Sequence, residues 1–229
     1  MPTINEIYKK YSTQYDQLVT SEDHKKNLKK FLLNNIDWNN KIVYEPGIGT
    51  GRLTKMYIDR INFVYGFDIE NHMLEQCKKN LYKYMHKIRL NAADNIELPT
   101  VEEKADILIE GWSFGHTIVE YEVDVPGTTE KLIDNLNKLI KDNGIIVIIE
   151  TLGTNIDKPK SINQPLDHFY SLIEKKYGFN KTIIQTDYMF NEYNEAANVL
   201  GFFFGKEMKE EILQKKINII PEYTGIWLK

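Results

Sequence analysis

The chain has 229 residues, with 29 Lys and Arg against 33 Asp and Glu and a net charge of -4. That length suits one domain with a full core, and the charge excludes a protein held to polyanions by a global basic field, so nucleic acid is not an expected partner. No apolar run approaches a bilayer span, no N-terminal stretch reads as a signal peptide and Cys77 is the only cysteine, so a cytoplasmic protein with no membrane partner and no internal disulfide is expected.

An N-terminal helical region, residues 1–38, carries Tyr8, Tyr11 and Tyr15 at spacings of three and four, which by periodicity is a packing stripe. A first strand is expected near 41–46, where Ile42 to Tyr44 run apolar into Glu45. Gly47, Gly49 and Gly51 follow on alternate positions and lead into a helix near 51–60. Such a turn needs positive φ and open space where a ligand lies. The dinucleotide fingerprint wants a third glycine at its sixth position, and here that position holds Arg52. A second strand near 62–67 closes in Asp68, seventeen residues after Gly51, about one helix and one strand later. An acid at that tip accepts hydrogen bonds from both hydroxyls of a ribose; its plainer reading is a helix cap.

A helix near 71–84 then buries Met73, Leu74 and Cys77, and a third strand near 87–91 runs into Ala93-Asp94-Asn95. A fourth strand near 105–110 leads into Glu110-Gly111-Trp112-Ser113-Phe114-Gly115-His116. The helix near 126–141 shows Leu132, Ile133, Leu136, Leu139 and Ile140 on one face, and a fifth strand near 144–150 ends in Glu150. A helix near 165–177 and a strand near 181–187 follow, then helix over 191–216 interrupted at Gly201, and a last strand near 222–228. Strands alternating with helices predict a parallel sheet covered on both faces.

The stretch Glu45-Pro46-Gly47-Ile48-Gly49-Thr50-Gly51, with Asp68 in register behind it, resembles the opening motifs of class I S-adenosylmethionine-dependent methyltransferases. It is similar to their small-molecule, type 11 and ubiquinone-biosynthesis-like group. The resemblance covers most of residues 40–229 and is specific to about residue 150. It implies a single α/β domain with a Rossmann-like, doubly wound sheet of seven strands, mostly parallel, the last antiparallel. Residues 1–38 would form a helical lid and 188–217 a helical insertion before the last strand.

The resemblance also implies S-adenosylmethionine as cofactor, S-adenosylhomocysteine as product, and a site carried over residue by residue. Glu45, Gly47, Gly49 and Gly51 would form the turn under the cofactor, with Asp68 on the ribose and Ile69 and Met73 beside it. Asp94 would accept from the adenine amino group, Asn95 would meet the ring through its amide, and the backbone of Glu110-Gly111 would lie near the methionine part. Tyr15 would reach the cofactor carboxylate from the N-terminal helix.

Methyl transfer from a sulfonium is an in-line displacement that requires alignment and exclusion of water. Trp112 and Phe114 are candidates for the cavity wall, with an aromatic face toward the sulfonium. His116 is the candidate general base, and its plainer reading is a helix cap. Asp187 and Tyr188 end the sixth strand on the same rim and are further acceptor candidates, whereas Phe202-Phe203-Phe204 are expected in the core. No Cys and His cluster suggests a metal. The expected reaction is methyl transfer to oxygen, nitrogen or carbon of a small molecule. An RNA or protein methyltransferase, a non-methylating S-adenosylmethionine-binding protein and an NAD-binding protein remain as alternatives, and the oligomeric state is open.

Overall fold

The apolar runs pair into one seven-stranded sheet in a computed structural model that describes residues 6, 10–100 and 103–229. Helices α1 (Ser12–Ser21) and α2 (Asn27–Asn35) precede β1 (Ile42–Pro46). Helix α3 (Thr54–Tyr57) leads to β2 (Phe63–Asp68), and α4 (Asn71–Asn80) leads to β3 (Ile88–Ala92). Strand β4 (Ala105–Gly111) is followed by α5 (Phe114–Glu120), α6 (Val125–Leu139), β5 (Ile140–Thr154), α7 (Gln164–Lys175) and β6 (Asn180–Gln185). A short antiparallel pair, β7 (Tyr188–Met189) with β8 (Ile219–Ile220), brackets α8 (Tyr193–Phe204) and α9 (Lys206–Lys215), and β9 (Glu222–Leu228) ends the chain.

The strand order is β3-β2-β1-β4-β5-β9-β6. The first five strands pair in parallel, and β9 runs antiparallel between β5 and β6. Strand residues alternate between two cores. Val43, Val64, Ile107 and Ile149 pack with Leu28, Leu32, Tyr57 and Leu74, so α2, α3 and α4 cover one face. Tyr44, Phe67, Leu108 and Ile148 pack with Leu132, Leu136, Phe169 and Ile173, so α5, α6 and α7 cover the other. Each such large side chain contributes roughly 1.5–3 kcal/mol on burial. A third cluster joins Leu18 of α1 to Tyr188, Ala197, Leu200, Ile212 and Ile220. It sets α1, α8 and α9 together beside the sheet.

Several boundaries differ from the sequence expectation. Residues 51–53 belong to the turn, so α3 is one turn long. Strand β5 begins at Ile140 because Ile140 pairs with Ala105 before the register shifts. Strand β6 ends at Gln185, two residues early, and Tyr188 pairs instead with Ile220. The break between the last helices falls at Gly205, whose φ of +99 no side chain adopts comfortably. Gly201 stays inside α8, where a Cβ would stand 2.7 Å from Lys209 Cβ on α9. It is a contact residue between two helices rather than a helix breaker. Tyr8 lies outside the described residues. Tyr11 packs edge-on against Phe202 at 5.4 Å.

The Gly201 contact sets two effects against each other. Alanine is preferred to glycine inside a helix by about 1 kcal/mol, whereas overpacking costs about 1–3 kcal/mol. Gly201→Ala is expected to lower the urea midpoint; a raised midpoint would show that α8 and α9 do not meet there.

Candidate functional site

Strands β1 and β4 lie side by side, but the helices that follow them cover opposite faces, so a crevice opens at their carboxyl ends. Gly47 and Gly49, with φ of +64 and +54, form its floor. A Cβ on Gly47 would stand 2.2 Å from Ser113 Cβ in the turn after β4. The Gly49 N–H donates to Asp68 Oδ2 at 2.9 Å, and the Glu70 N–H donates to Oδ1 at 2.9 Å. Burial outweighs these two donors and raises the Asp68 pKa to about 6.

Two of the expected ligand residues on this turn serve the fold instead. A Cβ on Gly51 would meet Leu81 Cδ1 at 2.6 Å and Cys77 Sγ at 3.0 Å, so this glycine seats the turn against α4 and the residue behind it. Glu45 is 1% exposed and accepts hydrogen bonds from Thr54 Oγ1 at 2.6 Å and from the Tyr57 hydroxyl. It ties α3 to β1 from behind the turn, and burial raises its pKa to about 7.

The first cavity is lined by Tyr15, Gly47, Gly49, Asp68, Ile69, Met73, Asp94, Asn95, Trp112 and His116, all named by the sequence. Ile69 is 62% exposed there, an apolar side chain that the protein itself leaves uncovered. Asp94 Oδ1 accepts from the Ile96 N–H at 2.9 Å, and Asn95 Nδ2 donates to Thr117 Oγ1 at 3.2 Å. Burial pushes the Tyr15 phenol up to about 12, so it stays protonated. Ala93 and Gly111 also line it, and Glu70, Ser113, Thr117 and Glu120 complete the lining without having been anticipated.

Glu110 and Phe114 line neither cavity, contrary to expectation. Glu110 Oε2 accepts from Ser113 N–H (3.3 Å), Ser113 Oγ (3.0 Å) and Phe114 N–H (3.2 Å). Glu150 Oε1 accepts from the Gly115 N–H at 2.6 Å. These two acids satisfy the orphan amides that begin α5. Burial raises Glu110 to about 7, and burial plus the Glu110 charge raises Glu150 well above the carboxylate range. Phe114 is fully buried because α5 turns it into the α6 and α7 core.

A second cavity of about 400 Å³ adjoins the first and shares Tyr15, Trp112 and His116 with it. Trp112 has a φ of +57, an unusual conformation for a bulky residue. The Arg52 guanidinium lies 4.1 Å from its ring centre, so one aromatic face already holds a cation. Arg52 Nη1 also donates to Glu22 Oε2 at 2.9 Å. The Asp23 N–H, bonded to Thr186 O at 3.0 Å, anchors the turn that delivers Glu22. His116 opens into both cavities, and the surrounding protein lowers its pKa below the ordinary histidine value.

Tyr188 and Glu222 reach this second cavity, but Asp187 does not. Asp187 accepts from the Glu222 N–H at 3.2 Å and from Lys25 Nζ at 3.5 Å, so it locks the β6 end to the β9 start. Phe203 and Phe204 also line the cavity; Phe203 packs against the third core cluster as expected, and Phe202 lies edge-on to Tyr11. Glu22, Arg52 and Glu222 were missed by the sequence reading. A usable signal existed for Arg52, a charge directly after three glycines, but none joined it to residues 22 and 222.

Seven strands in this order, with the glycine turn and Asp68 at the crossover, define the class I methyltransferase architecture. Residues 43–144 match the family model of a methyltransferase domain. The chain is 24% identical over 155 residues to an uncharacterized methyltransferase of Anoxybacillus flavithermus, covering 66% of this chain and 68% of that protein. It is 26% identical over 151 residues to another from Geobacillus thermodenitrificans, covering 64% and 66%. The chain thus spans about two thirds of the length of these curated relatives. Among solved structures, a DhpI–SAM–HEP complex shares the fold at a TM-score of 0.60, with 10% identity over 98% of this chain and 95% of that one. A putative methyltransferase of Bacillus halodurans does so at 0.55, with 14% identity over 88% and 97%. The matched domain, these relatives and the shared fold together support a class I S-adenosylmethionine-dependent methyltransferase. No helix among the described residues is long and apolar enough to cross a membrane.

Glu45, Asp68, Glu110, Glu150 and Glu222 all have folded pKa values above their unfolded ones, chiefly through burial. Their protonated forms fit the folded state, so that stability is complete below the unfolded carboxylate range and is lost as pH rises through the folded values, from about 6 to about 8. The ligand-free protein is expected to melt at a higher temperature at pH 5.5 than at pH 8.5. A flat or rising profile would contradict these assignments.

Proposed function

We propose that the protein transfers a methyl group from S-adenosylmethionine to a small-molecule acceptor held in the second cavity. The observation that carries this reading is the pair of cavities that meet at Tyr15, Trp112 and His116. A volume of about 400 Å³ suits a small molecule, and the net charge of -4 favours no polyanion. The single, buried Cys77 agrees with a reducing, cytoplasmic setting.

The residues of the first cavity fit an adenosyl ligand. Asp68 retains lone pairs for two ribose hydroxyls beyond those used by Gly49 and Glu70. Ile69, left exposed, gains a flat apolar cover from adenine, and Asp94 accepts from its amino group. Gly47 and Gly49 leave room for the methionine part without a side chain in its way. When bound, S-adenosylmethionine supplies a methyl group on a positively charged sulfur, an electrophile that needs no metal.

The protein's own contribution is alignment, dryness and a proton acceptor. Tyr15 and Trp112 wall the junction, and α1 with residues 188–217 act as the lid over it. His116, kept neutral by its surroundings, accepts the proton that an attacking hydroxyl or protonated nitrogen must lose.

Three outcomes test this reading. Methyl-labelled S-adenosylmethionine incubated with a fractionated extract of the source cell is expected to label the metabolite fraction; label in RNA or protein would overturn the acceptor class. His116→Ala is expected to lower kcat by roughly 10²–10⁴-fold with little change in cofactor affinity, for an acceptor that carries a proton. Unchanged turnover would remove that role. Asp68 must be ionised to accept from the ribose, so cofactor affinity is expected to weaken about tenfold from pH 7 to pH 5 as the carboxylate takes up its proton near 6. Asp68→Asn should bind weakly at both pH values, and a wild-type affinity that ignores pH would contradict the ribose contact.

A further inference from the structure

Three charged side chains from distant parts of the chain, Glu22, Arg52 and Glu222, line the second cavity together. Glu222 is 2% exposed, and its Oε1 accepts from Thr151 Oγ1 at 2.7 Å. The Thr154 hydroxyl also bears on this carboxyl, while Oε2 makes no hydrogen bond of ordinary geometry among the described residues. Glu22 Oε2 takes the Arg52 Nη1 donor, while Glu22 Oε1 and Arg52 Nη2 are likewise unmatched among the described residues. Buried charged atoms are costly without partners. Three of them around one cavity mark where the polar part of a ligand belongs.

Charge decides which polar part. Arg52 is paired with Glu22 at 2.9 Å, so among the described residues Glu222 feels the Arg52 charge but makes no ion pair of its own. The other groups facing it are the Thr151 and Thr154 hydroxyls, the Tyr188 phenol beside Glu22, and Asp187 at its N–H. His116, the remaining basic group in the lining, is held toward its neutral form. An anionic acceptor would therefore meet the Glu22 carboxylate with the guanidinium already paired to it, and would keep Glu222 protonated. A cation would draw the proton off Glu222 and pair with the carboxylate left behind.

We infer that the acceptor is an amine with an apolar body, bound as a cation against Glu222 and Glu22, a step that rests on the second cavity being the acceptor site. Leu18, Val19, Ile162, Phe203, Phe204 and Met208 receive the apolar body. Arg52 Nη2 donates to an oxygen on that body, a hydroxyl, ether or carbonyl. Burial and the Glu22 charge raise Glu222 to about 8, so it carries a proton at neutral pH when the cavity is free. Binding of the ammonium ionises Glu222, and its proton goes to solvent.

The test uses protein loaded with S-adenosylhomocysteine and three probes of one shape: 2-phenylethylamine, 2-phenylethanol and 3-phenylpropionate. Titration calorimetry at pH 7 in phosphate and in Tris reads affinity and proton release together. The amine is expected to bind at least tenfold more tightly than either other probe and to release about one proton. Glu222→Gln, with S-adenosylhomocysteine binding as its fold control, should bring amine and alcohol within about twofold of each other. Equal binding of the three probes by the wild type, a preference for the carboxylate, no binding of any, or amine binding without proton release would each overturn the inference. Methylation of an anionic metabolite would sink it while leaving the proposed function intact. Failure of S-adenosylhomocysteine to bind the wild type would instead strike the cofactor site beneath both.

Discussion

The close approach of the turn after β1 to the turn after β4 is the constraint on which the rest of the site depends. Gly47 lies where a Cβ would stand 2.2 Å from Ser113 Cβ, and its φ of +64 already disfavours any side chain. With the two turns in contact, the Gly49 amide can reach Asp68 across from β2. Trp112, one residue before the contact, adopts its unusual left-handed conformation and presents a face to Arg52. Helix α5 then starts at once, with its first amides directed at Glu110 and Glu150. Floor, junction and the helix that carries His116 therefore follow from one contact.

The buried acids divide by what they do with their oxygens. Glu45, Glu110 and Glu150 direct oxygens at hydroxyls and amides of neighbouring turns, which is how short helices can start inside the protein with their first amides matched, although Glu110 Oε1 has no partner among the described residues. Asp68 spends only part of its capacity, and Glu222 leaves one oxygen unmatched among the described residues.

Much of this was legible in the amino-acid order, and the failures have physical causes. Strands buried on both faces leave continuous apolar runs, and the glycine turn with an acid one βα unit later is a local pattern that survives any packing detail. Glu45 and Glu110 were expected at the ligand because each ends a strand at the binding edge of the sheet. Alternation tells otherwise: Glu45 shares its face with Val43, toward α3, and Glu110 shares its face with Leu108, toward α5. Gly201 and Gly205 sit about one helical turn apart, and only the packing of α8 on α9 decides which of them breaks the helix. The second cavity draws on residues 22, 52, 112, 188, 203 and 222, a set assembled by tertiary contacts that no local spacing encodes.

The account stands or falls on what occupies the two cavities. A crystal structure with S-adenosylhomocysteine tests it most directly. The account predicts both ribose hydroxyls within hydrogen-bond distance of Asp68, adenine over Ile69, and the sulfur at the junction of Tyr15, Trp112 and His116, facing the second cavity. A ligand whose sulfur points away from that junction, or whose ribose leaves Asp68 bonded only to Gly49 and Glu70, would contradict it.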